Sequence, residues 1–219
     1  AVWSFTTHNS TTLYSPANGA VSQNLDVNLD WNAVSGITHY DVEYDTTASF
    51  NSPLHQVQTT LTGYSNFTPG NLLFGTTYYW RARSRHSADT TTWSSTWSFT
   101  TMNGMALSLP SNGATNQAVK VNLDWAAING ITHYDVEYDT TASFNSPLHQ
   151  VQTTLSGYSN YTPGNLLFST TYYWRARSRH SQDTSTWSSV WSFTTTDGKP
   201  AHVSPANTST GISLNPTID

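Results

Sequence analysis

The sequence repeats itself at an offset of 94 residues: residues 13–101 align without gaps on residues 107–195, and 72 of the 89 aligned pairs are identical. The stretch from Gly36 to Leu61 matches Gly130 to Leu155 at every position. Solenoid units run to roughly 50 residues, so a unit this long is expected to be a domain with its own core. The same phase continues past both copies. Trp3-Ser4-Phe5-Thr6-Thr7 matches the closing segment Trp97-Ser98-Phe99-Thr100-Thr101, and Ser204-Pro205-Ala206-Asn207 through Asp219 matches an opening one. Asp219 stands where Asp30 and Asp124 stand, each followed by Trp. The chain is therefore expected to be a window on a tandem array. Residues 1–7 would close a preceding repeat, 8–101 and 102–195 would be complete repeats, and 196–219 would open a following one.

Within a repeat the apolar residues recur with period two, the pattern of a strand with one buried face. Val27, Leu29 and Trp31 alternate with Asp26, Asn28 and Asp30; Tyr40, Val42 and Tyr44 alternate with His39, Asp41, Glu43 and Asp45. Tyr78, Trp80, Ala82 and Ser84 alternate with Tyr79, Arg81, Arg83 and Arg85, and Trp97 and Phe99 lie between Ser and Thr. Pro16-Ala17-Asn18-Gly19, Ser35-Gly36, Asn51-Ser52-Pro53 and Thr68-Pro69-Gly70-Asn71 punctuate these runs as turns. Short alternating strands between such turns predict an all-β chain of two antiparallel sandwiches, seven strands each.

Composition agrees with that class and narrows the functions. Thr and Ser together fill 65 of 219 positions, and aromatic residues make up 13%, enough apolar payload for a core despite a mean hydropathy of -0.46. A net charge of -5 argues against nucleic acid as a partner. No run approaches the 18 or so apolar residues of a membrane span, and with no Cys the chain has neither disulfides nor thiolate metal sites.

The residues then carry a resemblance. Leu72-Leu73-Phe74-Gly75-Thr76-Thr77-Tyr78-Tyr79-Trp80-Arg81-Ala82-Arg83 resembles the E–F corner and F strand of fibronectin type III domains, Trp31 sits where that family has its B-strand Trp, and Tyr40-Asp41-Val42-Glu43-Tyr44 resembles its C strand. The likeness implies a tandem immunoglobulin-like fold with Tyr78 and Tyr172 as tyrosine-corner residues, their hydroxyls bonded to backbone a few residues upstream. It also implies an extracellular or cell-surface location. The stretch from Asp45 to Pro53 and the closing Trp-Ser-Phe-Thr-Thr are similar to repeats of large secreted or surface proteins of Bacteroidota. That similarity marks Thr46, Thr90 and Thr140, each following Asp in Asp-Thr-Thr, as candidate O-glycosylation acceptors.

Six of the eight cations are Arg81, Arg83, Arg85 and their copies Arg175, Arg177 and Arg179, all on one face of one strand per repeat. If strands F and C are neighbours, Asp41 and Glu43, with Asp135 and Glu137, face that row. Trp93 and Trp97, and Trp187 and Trp191, could cover the guanidinium planes. Class I cytokine receptors set Trp-Ser pairs against strand-F arginines in this manner, one residue apart; here Ser95 and Thr96 intervene. The expectation is a structural ladder, with an anion or sulfated-glycan patch as the alternative.

Other chemistry finds little support in the sequence. The histidines lack any pair spacing that would give two metal ligands from one element. Asp45, Thr47, Ser49 and Asn51 echo a calcium loop but lack its closing Glu, and read as an Asx-capped hairpin loop. No nucleophile elbow, phosphate loop or zinc-protease motif occurs, so neither catalysis nor a cofactor is expected. Two functions fit: a structural or adhesive stalk whose partners are neighbouring repeats, with cell-surface, matrix or glycan ligands bound elsewhere in the protein, or a carbohydrate-binding accessory module of a polysaccharide-degrading enzyme. Tyr64, Tyr79 and Trp93, with Tyr158, Tyr173 and Trp187, would stack on sugar rings in the second case.

Overall fold

The computed structural model describes residues 2–4, 11–37, 39–60, 64–87, 89–131, 133–155, 157–181, 183–199 and 210. The closing fragment is described only at residues 2–4, and the opening one beyond residue 199 only at residue 210; both expectations otherwise lie outside the described residues.

The first repeat forms β1 (Leu13–Ser15), β2 (Ala20–Gln23), β3 (Leu29–Trp31), β4 (His39–Asp45), β5 (Gln56–Thr60), β6 (Asn66–Phe67), β7 (Thr77–His86), β8 (Asp89–Thr90) and β9 (Trp97–Thr101). The second repeats the series as β10 (Leu107–Leu109), β11 (Ala114–Gln117), β12 (Leu123–Trp125), β13 (His133–Asp139), β14 (Gln150–Leu155), β15 (Asn160–Tyr161), β16 (Thr171–His180), β17 (Asp183–Thr184) and β18 (Trp191–Thr195). In each, a three-stranded sheet (β1-β3-β6, β10-β12-β15) faces a six-stranded one (β2-β9-β7-β4-β5 with β8 on β7, and its counterpart). The fold is all-β, two tandem immunoglobulin-like sandwiches.

The count of seven strands is corrected by two features. The opening strand is split: β1 pairs antiparallel with β3, and after the Pro16–Gly19 turn the chain crosses to the other sheet, where β2 lies parallel to β9. A turn motif read as a strand boundary therefore marks a change of sheet. The short β8 is the folded-back end of the hairpin that follows β7.

Inward parity is as the alternation predicts. Val27, Leu29, Trp31, Tyr40, Val42, Tyr44, Tyr78, Trp80 and Phe99 are buried, as are all nine counterparts in the second repeat. Burial of these rings is the main stabilising term, at roughly 1.5–3 kcal/mol for each large apolar side chain. The Tyr78 hydroxyl accepts the Leu73 N–H at 3.0 Å, and Tyr172 does the same for Leu167, so both tyrosine corners are formed. A second pair of hydroxyls does similar work in the β3–β4 and β12–β13 loops, where Tyr40 accepts from Val34 N–H at 2.6 Å and Tyr134 from Ile128 N–H at 2.9 Å.

Candidate functional site

The outer face of each six-stranded sheet gathers most of the charge in the molecule. The β4–β7 register sets Glu43 opposite Arg81, Asp41 opposite Arg83 and His39 opposite Arg85. Arg81 Nε donates to Glu43 Oε1, and the other Glu43 oxygen lies 3.0 Å from His55 Nε2. Asp41 Oδ2 takes Arg83 Nε and Arg85 Nη2, each at 2.8 Å, while Thr59 Oγ1 donates to Oδ1 at 2.9 Å. The second repeat copies the scheme with Arg175 on Glu137 and Arg177 on Asp135; Arg179 Nη1 stands 3.6 Å from Asp135. Burial pushes the Asp41 carboxyl up, but hydrogen bonds from Arg85, Arg83 and Thr59 outweigh it and hold the group below its ordinary range.

The aromatic cover is Trp93. Its ring centre lies 5.0 Å from Arg81 Cζ and 4.4 Å from Arg83 Cζ, so one ring contacts two guanidinium groups. Residues 91–96 form no regular strand, and hydroxyl side chains clamp them instead. Thr91 exchanges bonds with the Ser84 backbone, and Ser94 does so with Ala82, its N–H donating to the carbonyl at 2.8 Å and its Oγ accepting at 3.1 Å. Trp93 is held between those two attachments. Position 185 is Ser where position 91 is Thr, and its hydroxyl accepts the Ser178 N–H at 3.0 Å, so the clamp survives the substitution.

Trp97 and Trp191 do not belong to this ladder, contrary to expectation. Trp97 opens β9 opposite Trp80, which is fully buried on the inner face, and meets it edge-on at 6.4 Å. Its parity points to the core, out of reach of the outward arginines; Trp191 meets Trp174 in the same way.

Phe50 takes the vacant role. Its ring centre lies 4.2 Å from Arg81 Cζ, and Phe144 covers Arg175 likewise at 4.4 Å. Both phenylalanines have φ of 53°, a left-handed conformation unusual for a bulky residue. No periodicity marks a loop residue of this kind, and its Asn51-Ser52-Pro53 neighbourhood signals only a turn. His55 and Thr59, the further partners of the acids, also lack any distinguishing pattern. With this cover Asp41 and Glu43 are only 1% and 5% exposed although their parity is outward, so the sheet carries a packed polar layer on its second face.

The loop after β4 closes on a carboxylate. Asp45 accepts Thr46 N–H at 2.6 Å, Ser52 N–H at 2.9 Å, Thr47 Oγ1 at 3.0 Å and the Ser52 hydroxyl. Burial raises its pKa, but the bonds from Ser52, Thr46 and Thr47 win and bring it down to about 2; Asp139 has the same arrangement and the same value. Thr46 and Thr140 are half-buried there, each hydroxyl donating to Ser Oγ at 3.1 Å, whereas Thr90 is exposed. Among the described residues no group of three His, Asp or Glu side chains could hold a metal ion. Tyr64 and Tyr158 are exposed, while Tyr79 and Tyr173 are partly covered in the sheet. Chemically, then, the face consists of acids neutralised by neighbouring arginines, with guanidinium planes covered by rings.

No family model matches the chain, and no curated protein matches it. Among solved structures the chain is similar to the FN1–FN3 domains of chicken CNTN1 (15% identity over 85% of this chain and 66% of that one, TM-score 0.35). It is also similar to a two-domain fibronectin type III segment of chicken tenascin (13%, 85% and 99%, TM-score 0.38) and to the chicken interferon gamma receptor alpha chain (15%, 85% and 98%, TM-score 0.40).

Proposed function

We propose that the chain is a non-catalytic structural or adhesive segment of an extracellular or cell-surface protein, a semi-rigid spacer whose immediate partners are its own neighbouring repeats. The observation that carries this reading is the pinned connection between the two sandwiches. Met102 N–H donates to Gln23 O at 2.8 Å and Gly75 N–H to Met102 O at 2.9 Å, tying the connection to the first repeat. Asn103 then reaches the second: Thr186 donates its N–H to Asn103 Oδ1 at 2.9 Å and its hydroxyl to Asn103 O at 3.1 Å. A connection of five residues held on both sides leaves little independent rotation, so successive repeats add length. The self-neutralised ladder supports the same reading, because neither acids nor arginines need an outside partner. Within it, a bacterial surface source rests on the residue likeness around Asp45–Pro53, and Thr90 is the accessible glycan acceptor.

Small-angle scattering on dilute chain tests the spacer. β7 has ten residues and spans about 33 Å at 3.3 Å per residue, so two repeats in line should give a particle roughly twice that long. A compact, side-by-side particle contradicts the reading. The exposed rings of Tyr64 and Tyr158 favour a second reading, a carbohydrate-binding accessory module. Glycan-array binding that disappears in the Tyr64→Ala, Tyr158→Ala double variant would select it.

A further inference from the structure

The approach to β6 sets an exposed aromatic ring beside an exposed asparagine. Burial alternates from Tyr64 to Pro69: Ser65, Phe67 and Pro69 turn toward the core, while Tyr64, Asn66 and Thr68 are exposed on the outer face. Ser65 O accepts the Trp31 N–H at 2.9 Å, so the chain is paired to β3 before β6 begins, and the three outward side chains stand in one row about 7 Å apart. The second repeat has the same row in Tyr158, Asn160 and Thr162, with Ser159 O accepting the Trp125 N–H at 3.0 Å. Tyr64 is 58% exposed and Tyr158 60%. The first has a repeat after it and the second a repeat before it, and the seam between the two runs elsewhere, through Asp183 Oδ2, which accepts the Phe74 N–H at 2.7 Å. Equal exposure in those two settings means that a repeat on either side leaves the ring open.

Asn66-Phe67-Thr68 and Asn160-Tyr161-Thr162 each read Asn, a residue other than Pro, then Thr, the signal for attaching a glycan to the asparagine amide. Between residues 64–70 and 158–164 the copies differ only at Phe67 and Tyr161, the position that signal leaves free. We propose that Asn66 and Asn160 are acceptors of N-linked glycans, and that Tyr64 and Tyr158 are the platforms on which the first sugar of each rests. In the transfer the amide Nδ2 bonds the anomeric carbon of a lipid-diphosphate-linked oligosaccharide. The bond from that carbon to the diphosphate oxygen breaks, the lipid diphosphate leaves with the electron pair, and the amide gives up one proton. A pyranose presents C–H groups on its flat side, and these meet the electron-rich face of an aromatic ring. The row puts that ring on one side of the acceptor and Thr68 on the other, its hydroxyl donating to Asn28 Oδ1 at 3.2 Å; Thr162 donates to Asn122 Oδ1 at 3.0 Å. β6 and β15 are the edge strands of their three-stranded sheets, so a branched glycan has open solvent beside it. A foreign sugar needs only the ring; an acceptor amide two residues on, on the same face, is what an attached sugar needs.

The proposal rests on the extracellular reading, because this transfer acts on chains that leave the cytosol. The test compares the full chain secreted from cultured eukaryotic cells behind a cleavable leader with the same chain made in a bacterial cytosol, where no N-glycan is added. Peptide mass spectrometry of the secreted wild type should find sugar on Asn66 and Asn160, and on neither in the Thr68→Ala, Thr162→Ala variant. The glycosylated wild type should melt about 2–4 °C above its sugar-free counterpart. In the Tyr64→Ala, Tyr158→Ala variant both signals are intact, so occupancy should persist while that difference falls below about 1 °C. Each variant is referred to its own sugar-free form, which removes any cost of the substitution itself. Bare Asn66 and Asn160 in a chain secreted intact overturn the proposal and leave the extracellular reading standing; a compact particle in dilute scattering fails the spacer and leaves the acceptors untouched. A melting difference as large without the rings as with them overturns the platform.

Discussion

The guanidinium carbon of Arg83 lies 4.4 Å from the ring centre of Trp93, closer than the 5.0 Å of Arg81 to the same ring. One indole therefore serves two cations, and each cation is bound to a buried acid. Removing the ring uncovers both ion pairs at once. Trp93→Ala should lower stability by about 2–3 kcal/mol, adding the lost cation–π contacts to lost burial, and Trp93→Phe should recover about half. Urea midpoints of the three proteins decide this. A loss under ~0.5 kcal/mol, ordinary for a surface change, would mean that the ring is ornamental.

The acids beneath the ladder make single and double replacements differ in kind. Arg81→Leu leaves Glu43, only 5% exposed, with His55 as its remaining ionisable partner, and should cost about 3–5 kcal/mol. Replacing both, Arg81→Leu with Glu43→Leu, removes the stranded charge and should restore most of the loss. A double-mutant cycle by chemical denaturation reads the coupling; additive single effects would contradict a buried pair.

Acid should unfold the molecule through Asp45 and Asp139. Their folded pKa of about 2 lies below the ordinary 3.8, so the unfolded chain binds protons first as pH falls. Their contribution is fully present above the unfolded value and is lost as pH drops from about 4 to about 2. Asp41, also held low, adds in the same direction. Urea midpoints should be flat from pH 7 to 5 and then fall, and the Asp45→Asn, Asp139→Asn double variant should show a shallower fall. An unchanged acid limb in that variant would sink the assignment.

At the seam, Asp183→Ala should loosen the pair without unfolding either sandwich. The variant loses the bond to Phe74 N–H and the local bond from Thr184 N–H at 2.9 Å, both near the surface. Thermal midpoints should stay within a few degrees, while scattering should show a broader distribution of maximum dimensions. An unchanged distribution would place the orientation elsewhere, in the Asn103–Thr186 contacts.

Core residues were legible because a strand's parity is a local property: once Tyr78 is inward, Trp80 and Ala82 must follow. The facing of Asp41 and Arg83 was legible for the same reason, given neighbouring strands. Trp93 and Trp97 were not separable by such counting, since residues 91–96 leave the strand and reset the parity between them. Phe50 was hidden because its place over Arg81 depends on a left-handed backbone and on a contact thirty-one residues away in sequence. The split of the opening strand was hidden because a Pro-Ala-Asn-Gly turn reads alike whether it joins two strands of one sheet or passes between sheets.

That split has a mechanical consequence. The second half of the split opening strand, β2, and the exit strand β9 run parallel, bracketed by Gly19 N–H on Ser98 O at 2.7 Å and Met102 N–H on Gln23 O at 2.8 Å. Tension applied along the chain enters each repeat through the short β1, held by β3, and once that has peeled away it reaches β2 while it leaves beside β9, so it drags β2 and β9 past one another. Bonds across a pair loaded in that direction share the pull and must yield together, whereas a hairpin pulled from its open end would surrender them singly. Each sandwich thus meets a stretching force with its strands in shear, the loading in which a short ladder resists longest.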